Sequence, residues 1–193
     1  MNSSLPGTYV GHLIIASFGL VFVGVNSGSL NYAWRFTAIA LAAAAVLAVA
    51  AAFGRTLRNW NDVSPEIKLT RFNKPFLIIV AIEVVALFGG ARIIGSVEPS
   101  AILGWVALVV GLHLIALAIW WMPGQIGFLF TGVALTLLGI AGLVIGFLTQ
   151  ETDTVALLSG VGSGIVLLGT SLIAAVRTLT YRQHPTDAPV TPR

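Results

Sequence analysis

Six apolar runs, each close to the length a helix needs to cross a bilayer, fill most of this 193-residue chain. A helix rising 1.5 Å per residue needs about twenty residues to cross a roughly 30 Å hydrocarbon core. The runs extend over about residues 10–25, 34–53, 75–94, 101–121, 126–148 and 155–176. Each is apolar throughout and lacks the alternating polar face of a barrel strand. A helix also satisfies every backbone N–H within its own segment, which an isolated strand in hydrocarbon cannot do. Charged residues are 9% of the chain, against about a quarter in soluble domains. The expected fold class is therefore all-α, a polytopic transmembrane bundle of six helices.

Charge placement orients the bundle. Arg55, Arg58, Lys68, Arg71 and Lys74 lie between spans two and three, and Arg177, Arg182 and Arg193 follow span six. The other side holds Arg35 and Arg92, with Glu98, Glu151 and Asp153 in its turns. Eight of ten basic residues on one side is the positive-inside pattern, and six spans then put both termini in the cytoplasm. This topology absorbs the pI near 9.8 and also favours anionic lipid headgroups, so no nucleic-acid partner is expected. Residues 1–9 lack a basic n-region, so a cleavable signal is not expected. The chain has no cysteine, which excludes disulfides and thiolate chemistry. A composition rich in Ala, Val, Leu and Gly suits a bacterial inner or plasma membrane.

The spans group as three hairpins with short outer turns at 26–33, 95–100 and 149–154, leaving no room for a soluble domain. The tight Met122-Pro123-Gly124-Gln125 turn makes spans four and five antiparallel neighbours. Between Gly54 and Lys74, Ser64-Pro65-Glu66 has the form of a helix start, and Trp60, Val63, Ile67 and Phe72 alternate with basic residues. That mixture suits either a short helix at the headgroups or an irregular loop with interfacial aromatics. The proline-rich tail, residues 181–193, is expected to be disordered.

Glycines mark faces of the last two spans: Gly139, Gly142 and Gly146 in span five, and Gly160, Gly164 and Gly169 in span six. Small residues so spaced let helix backbones approach closely in lipid. They would pack spans five and six together, or form a seam with a second copy or a partner membrane protein. Gly160-Val161-Gly162-Ser163-Gly164 is neither a phosphate loop nor a hydrolase elbow, because no Lys-Ser/Thr follows and Val161 stands where the elbow needs glycine.

Among ionisable residues, one constellation stands out. Glu83 lies nine residues beyond Lys74, about 13 Å into the bilayer, and His113 lies eight residues before Trp121, about 12 Å deep from the same side. Spans three and four form a hairpin, and both positions are equidistant from its turn near Glu98, so they face the same layer. An ionisable group at mid-membrane costs roughly 3 kcal/mol or more and normally finds a partner in the bundle. Such a pair can hold or relay a proton or bind an ion or small ligand, and it can equally serve as structural glue. A haem is not expected, since His12 and His113 sit about two turns apart in depth, and no metal-ligand spacing occurs. A second polar set near the outer surface comprises Asn26, Asn31, Arg35 and Arg92. It would line an anionic pocket or act as interfacial anchors beside Tyr32 and Trp34.

Ile79-Val80-Ala81-Ile82-Glu83-Val84-Val85-Ala86 in span three and Gly104 to His113 in span four, followed by Pro123, Gly127 and Gly132, resemble a pattern in small uncharacterised bacterial six-helix membrane proteins. That family carries an intramembrane glutamate in one span, a Gly-Leu-His motif in the next and a proline turn into the fifth. Leu114 stands where the pattern has phenylalanine. The resemblance implies a site at Glu83 and His113 and brings no activity with it. No nucleophile–base set is visible, so an intramembrane enzyme is disfavoured. Two functional classes remain: a carrier or channel-like protein using the pair, and a scaffold or accessory subunit using the glycine faces.

Topology reporters fused at Ala33, Ser100 and Asp153 should read as external, and those at Asn61 and Gln183 as cytoplasmic. An external signal at Asn61 would overturn the orientation.

Overall fold

The structure is a computed structural model and describes residues 5–58, 74–121 and 126–181. The Ser64-Pro65-Glu66 segment, the Met122–Gln125 turn and the tail beyond Tyr181 lie outside the described residues. All the regular structure described is helical, and six helices are long and apolar enough to cross a membrane. The protein is a multi-pass, all-α membrane protein.

Helix α1 is Leu5–Asn26 and α2 is Tyr32–Arg58. Helix α3 runs from Lys74–Val85 through a π-helical turn, Ala86–Gly90, into Ala91–Val97. Helix α4 is Ile102–Ala116 with a π-turn at Leu117–Trp121, and α5 is Ile126–Thr149. Helix α6 opens at Thr152–Val155, widens at Ala156–Val161 and continues as Gly162–Tyr181. Several helices outrun the apolar runs: α2 continues past Gly54 to Arg58, where a loop was expected, and α3 reaches Val97. Backbone hydrogen bonding does not stop where hydropathy falls, so the charged ends stay helical.

The outer turns are closed by local chemistry. Asn31 Oδ1 accepts the Trp34 backbone N–H at 3.0 Å and starts α2. Glu98 Oε1 accepts the Ser100 backbone N–H at 3.2 Å and caps the entry to α4. Gln150 takes a left-handed conformation, φ 57°, and reverses the chain between α5 and α6.

Packing falls into layers. Helices α4 and α5 make the most intimate pair, α1 packs on α6, and α2 lies against both α1 and α6. One apolar cluster joins Ala16, Val23, Val49, Phe53 and Leu168 of α1, α2 and α6. A second joins Phe22, Leu114, Phe128, Leu135 and Leu167 of α1, α4, α5 and α6. Helix α3 stands at the edge, packed on α4, and none of its described residues is buried.

The glycine faces are used inside the chain, and mostly not between spans five and six. A methyl group on Gly139 would run into the backbone of Leu108, and one on Gly146 would lie 2.7 Å from Ala101 Cα. Both belong to the α4 segment. Gly142 meets Gly104 of α4 and also Ser159 of α6. Gly160 receives the Asn26 side chain, and Gly164 abuts Gly19 and Val23, so this face docks on α1. Gly169 faces open space. The α4 side contributes Gly104 and Gly111, and α5 contributes Gly132, Gly139 and Gly146, each series at seven-residue spacing. Seven residues are two helical turns, which keeps the small positions on one side.

Gly139→Ala should therefore destabilise the protein. Overpacking costs roughly 1–3 kcal/mol, more than the roughly 0.8–1 kcal/mol by which alanine outranks glycine in a helix. Gly169→Ala should be neutral or stabilising. Unfolding in detergent, followed by circular dichroism, would compare the two.

Candidate functional site

Glu83 and His113 meet across the α3–α4 seam. His113 Nδ1 lies 3.1 Å from Glu83 Oε2, with the side chains 12% and 19% exposed respectively. That separation is within ion-pair range, yet Nδ1 has no aligned hydrogen-bond partner. The two groups touch without being locked. Both residues fall in the last helical turn before a π-turn, Ala86–Gly90 on α3 and Leu117–Trp121 on α4. A π-turn widens the helix by one residue per turn and often marks a functional segment.

Two aromatic contacts bracket the pair. On the outer side the Trp105 indole occupies the space that a side chain at Gly90 would fill, and its Nε1–H donates to the Ala86 carbonyl at 2.9 Å. At the opposite end of the seam the rings of Phe76 and Trp121 lie with centroids 4.6 Å apart, tilted by 42°. The contacts Gly90–Trp105, Glu83–His113 and Phe76–Trp121 follow an antiparallel register, seven residues apart on α3 and eight on α4. Val109 and Leu117, one turn on either side of His113, and the adjacent Leu114 are buried.

Chemically, a carboxyl and an imidazole in contact can share one proton in two ways. Carboxylate with imidazolium and carboxylic acid with imidazole carry the same net charge, so the proton moves between them without changing the charge of the site. Losing that proton leaves one negative charge, and gaining a second leaves one positive. Their titrations are coupled and belong to the pair.

The outer polar set is not assembled into a pocket. Arg35 and Asn31 are exposed at the start of α2, while Arg92 is exposed on α3, at the opposite edge of the bundle. Asn26 is buried instead, its Nδ2 donating to the Phe22 carbonyl at 2.8 Å and its side chain filling the gap at Gly160. Asn26 is a packing residue, and Asn31 is a helix cap. The physical reason is the edge position of α3, which separates the two arginines.

His12 and His113 face different helices. His12 is buried between the rings of Phe53 and Phe128, with centroid distances of 6.4 and 5.3 Å. Around it runs a polar thread: Ser171 Oγ donates to the His12 carbonyl at 3.0 Å, and Thr131 and Thr170 share a hydroxyl bond of 2.8 Å. Sequence inspection missed this thread, because serine and threonine are common in spans and satisfy themselves on their own helix. The bonds Thr131 to the Gly127 carbonyl and Thr170 to the Val166 carbonyl are of that kind.

At the outer turn the Ser100 hydroxyl lies 2.7 Å from Glu98 Oε1 and 3.0 Å from the Gly146 carbonyl, and its one proton serves one acceptor at a time. Hydrogen bonds from the Ser100 hydroxyl and backbone hold the Glu98 carboxyl below its ordinary range, with a smaller contribution from Gln150.

The chain matches no known family model, curated protein or solved structure. What fold and site define is thus a class: a six-span helical membrane protein with an ionisable pair set within its spans.

Replacing Glu83 or His113 singly with leucine should cost more, summed, than replacing both, because each single change strands the other polar group. The expected coupling is about 0.6 kcal/mol and no more than roughly 1.7 kcal/mol. A double-mutant cycle on detergent unfolding measures it.

Proposed function

We propose that this protein is a small carrier or channel-like membrane protein in which Glu83 and His113 bind or pass a proton, an ion or a small solute. The observation that carries the reading is the unaligned 3.1 Å contact of two ionisable side chains within the spans. As a stabilising device the pair is a poor bargain. An ionised side chain at a span's centre costs roughly 2.5–3.5 kcal/mol on insertion scales. A polar contact between spans returns about 0.6 kcal/mol on average. Two apolar residues would hold α3 to α4 better.

The scaffold reading has less to support it. It relied on glycine faces open to a partner, and of the six glycines only Gly169 faces open space. In this reading the protein works in a bacterial plasma membrane, with both termini cytoplasmic.

Reconstitution in liposomes tests the proposal. Under an imposed pH gradient, Glu83→Gln should slow flux by about tenfold or more, the loss expected from removing a charged group worth at least about 1.4 kcal/mol. The residual flux should no longer vary with pH. Flux through Glu83→Gln protein with an unchanged pH profile would leave the pair only a structural role.

A further inference from the structure

Along the α3–α4 seam, contacts close the space on either side of the Glu83–His113 pair. Toward the outer face, Trp105 fills the notch at Gly90. At the opposite end of the seam, Phe76 and Trp121 meet across the gap. On α4, Val109 and Leu117, one turn on either side of His113, and the adjacent Leu114 are 6%, 6% and 5% exposed. The pair keeps 12% and 19% exposure, and Ile82, Val85 and Leu112, near it in sequence, are 64%, 71% and 51% exposed. Those three side chains would face lipid tails in a membrane. Among the described residues, helix α3 packs chiefly on α4. An open concavity on α1, lined by Leu13, Ile14, Ser17, Phe18 and Val21, does not include either residue of the pair.

We propose that Glu83 and His113 are reached from the lipid, and that their ligand is a hydrophobic monovalent organic cation taken up in exchange for a proton. The inference deepens the function proposed above and rests on it. A hydrated inorganic cation approaching through hydrocarbon would have to shed its water, at a cost far beyond what one carboxylate returns. A cation whose charge is buried in apolar groups partitions into the bilayer and meets no such barrier. When the pair gives up its shared proton it carries one negative charge, and one such cation restores the balance. His113 holds the proton next to Glu83 in the empty site and so sets the competition between proton and cation.

The test uses the full-length protein in lipid nanodiscs and two carboxyl-directed carbodiimides, the hydrophobic dicyclohexyl reagent and a water-soluble one, with peptide mass mapping of adducts. The hydrophobic reagent should label Glu83, and the water-soluble one should not. Tetraphenylphosphonium should protect Glu83, whereas sodium and potassium at equal concentration should not. Direct binding of tetraphenylphosphonium should weaken by about tenfold or more in Glu83→Gln, as for loss of one charged contact. Glu83→Asp, which keeps the carboxylate, should still be labelled. If Glu83→Gln fails to fold, protection of the native protein decides the matter. Labelling of Glu83 by the water-soluble reagent, or equal protection by sodium, overturns entry from the lipid. Absence of labelling by either reagent, as when a second copy covers α3, overturns it too. The two claims fail separately. Flux that depends on Glu83 together with aqueous labelling leaves the proton-handling role and removes the lipid route. Flux indifferent to Glu83 removes the proton-handling role, and the exchange with it, even where the cation binds.

Discussion

Close backbone approach between helices is the constraint on which this structure depends. In lipid, burying an apolar side chain against another helix gains little over leaving it among acyl chains, so association must come from van der Waals contact and a few polar bonds. Glycine makes that contact available. Gly104 and Gly111 on α4 meet Gly132, Gly139 and Gly142 on α5, Gly146 of α5 meets Ala101, and Gly19 on α1 meets Gly164 on α6. Where backbones touch, side-chain hydroxyls reach across: Ser159 donates to the Leu138 carbonyl at 2.8 Å, and Ser100 reaches Gly146. These two glycine-lined pairs, with α2 laid against α1 and α6, make the rigid part of the molecule.

Helix α3 is built on different terms. It has glycines at 89, 90 and 95, but Gly90 is spent on the Trp105 ring rather than on a backbone contact, and nothing lies against Gly89. It meets α4 through two aromatic contacts, the Glu83–His113 pair between them and the approach of Gly95 to Ile102. The ionisable pair thus sits at the middle of the least buried interface in the bundle, and not at the centre of the core.

Much of this was legible in one dimension. A span is a run of apolar residues, so six spans and their hairpin order follow directly. The meeting of Glu83 and His113 was legible because a hairpin equalises depth: residues equally far from its turn share a layer. Partner choice was not legible. The spacing of Gly139, Gly142 and Gly146 identifies a face but not the helix that the face meets, and α4 meets it through Gly104 and Leu108. The seven-residue interval shared by Gly104–Gly111 and Gly132–Gly139–Gly146 was the available signal. Arg35 and Arg92 looked like neighbours because both lie near the outer surface, but depth says nothing about lateral position, and α2 and α3 occupy opposite edges. The π-turns leave no mark in composition either.

The edge position of α3 bears on what protonation can do. A charge change within a glycine-packed interface would work against backbone contacts along the whole helix, and the interface would resist it. At the α3–α4 seam the pair lies between two aromatic contacts, and the helix beyond it widens into a π-turn at Ala86–Gly90. The Trp105 indole holds that turn by its bond to the Ala86 carbonyl, one turn from Glu83. A change in the charge shared by Glu83 and His113 therefore acts on a segment that, among the described residues, packs chiefly on α4. Stability and responsiveness are separated in space: glycine contacts carry the first, and the seam that carries the ionisable pair is free to supply the second.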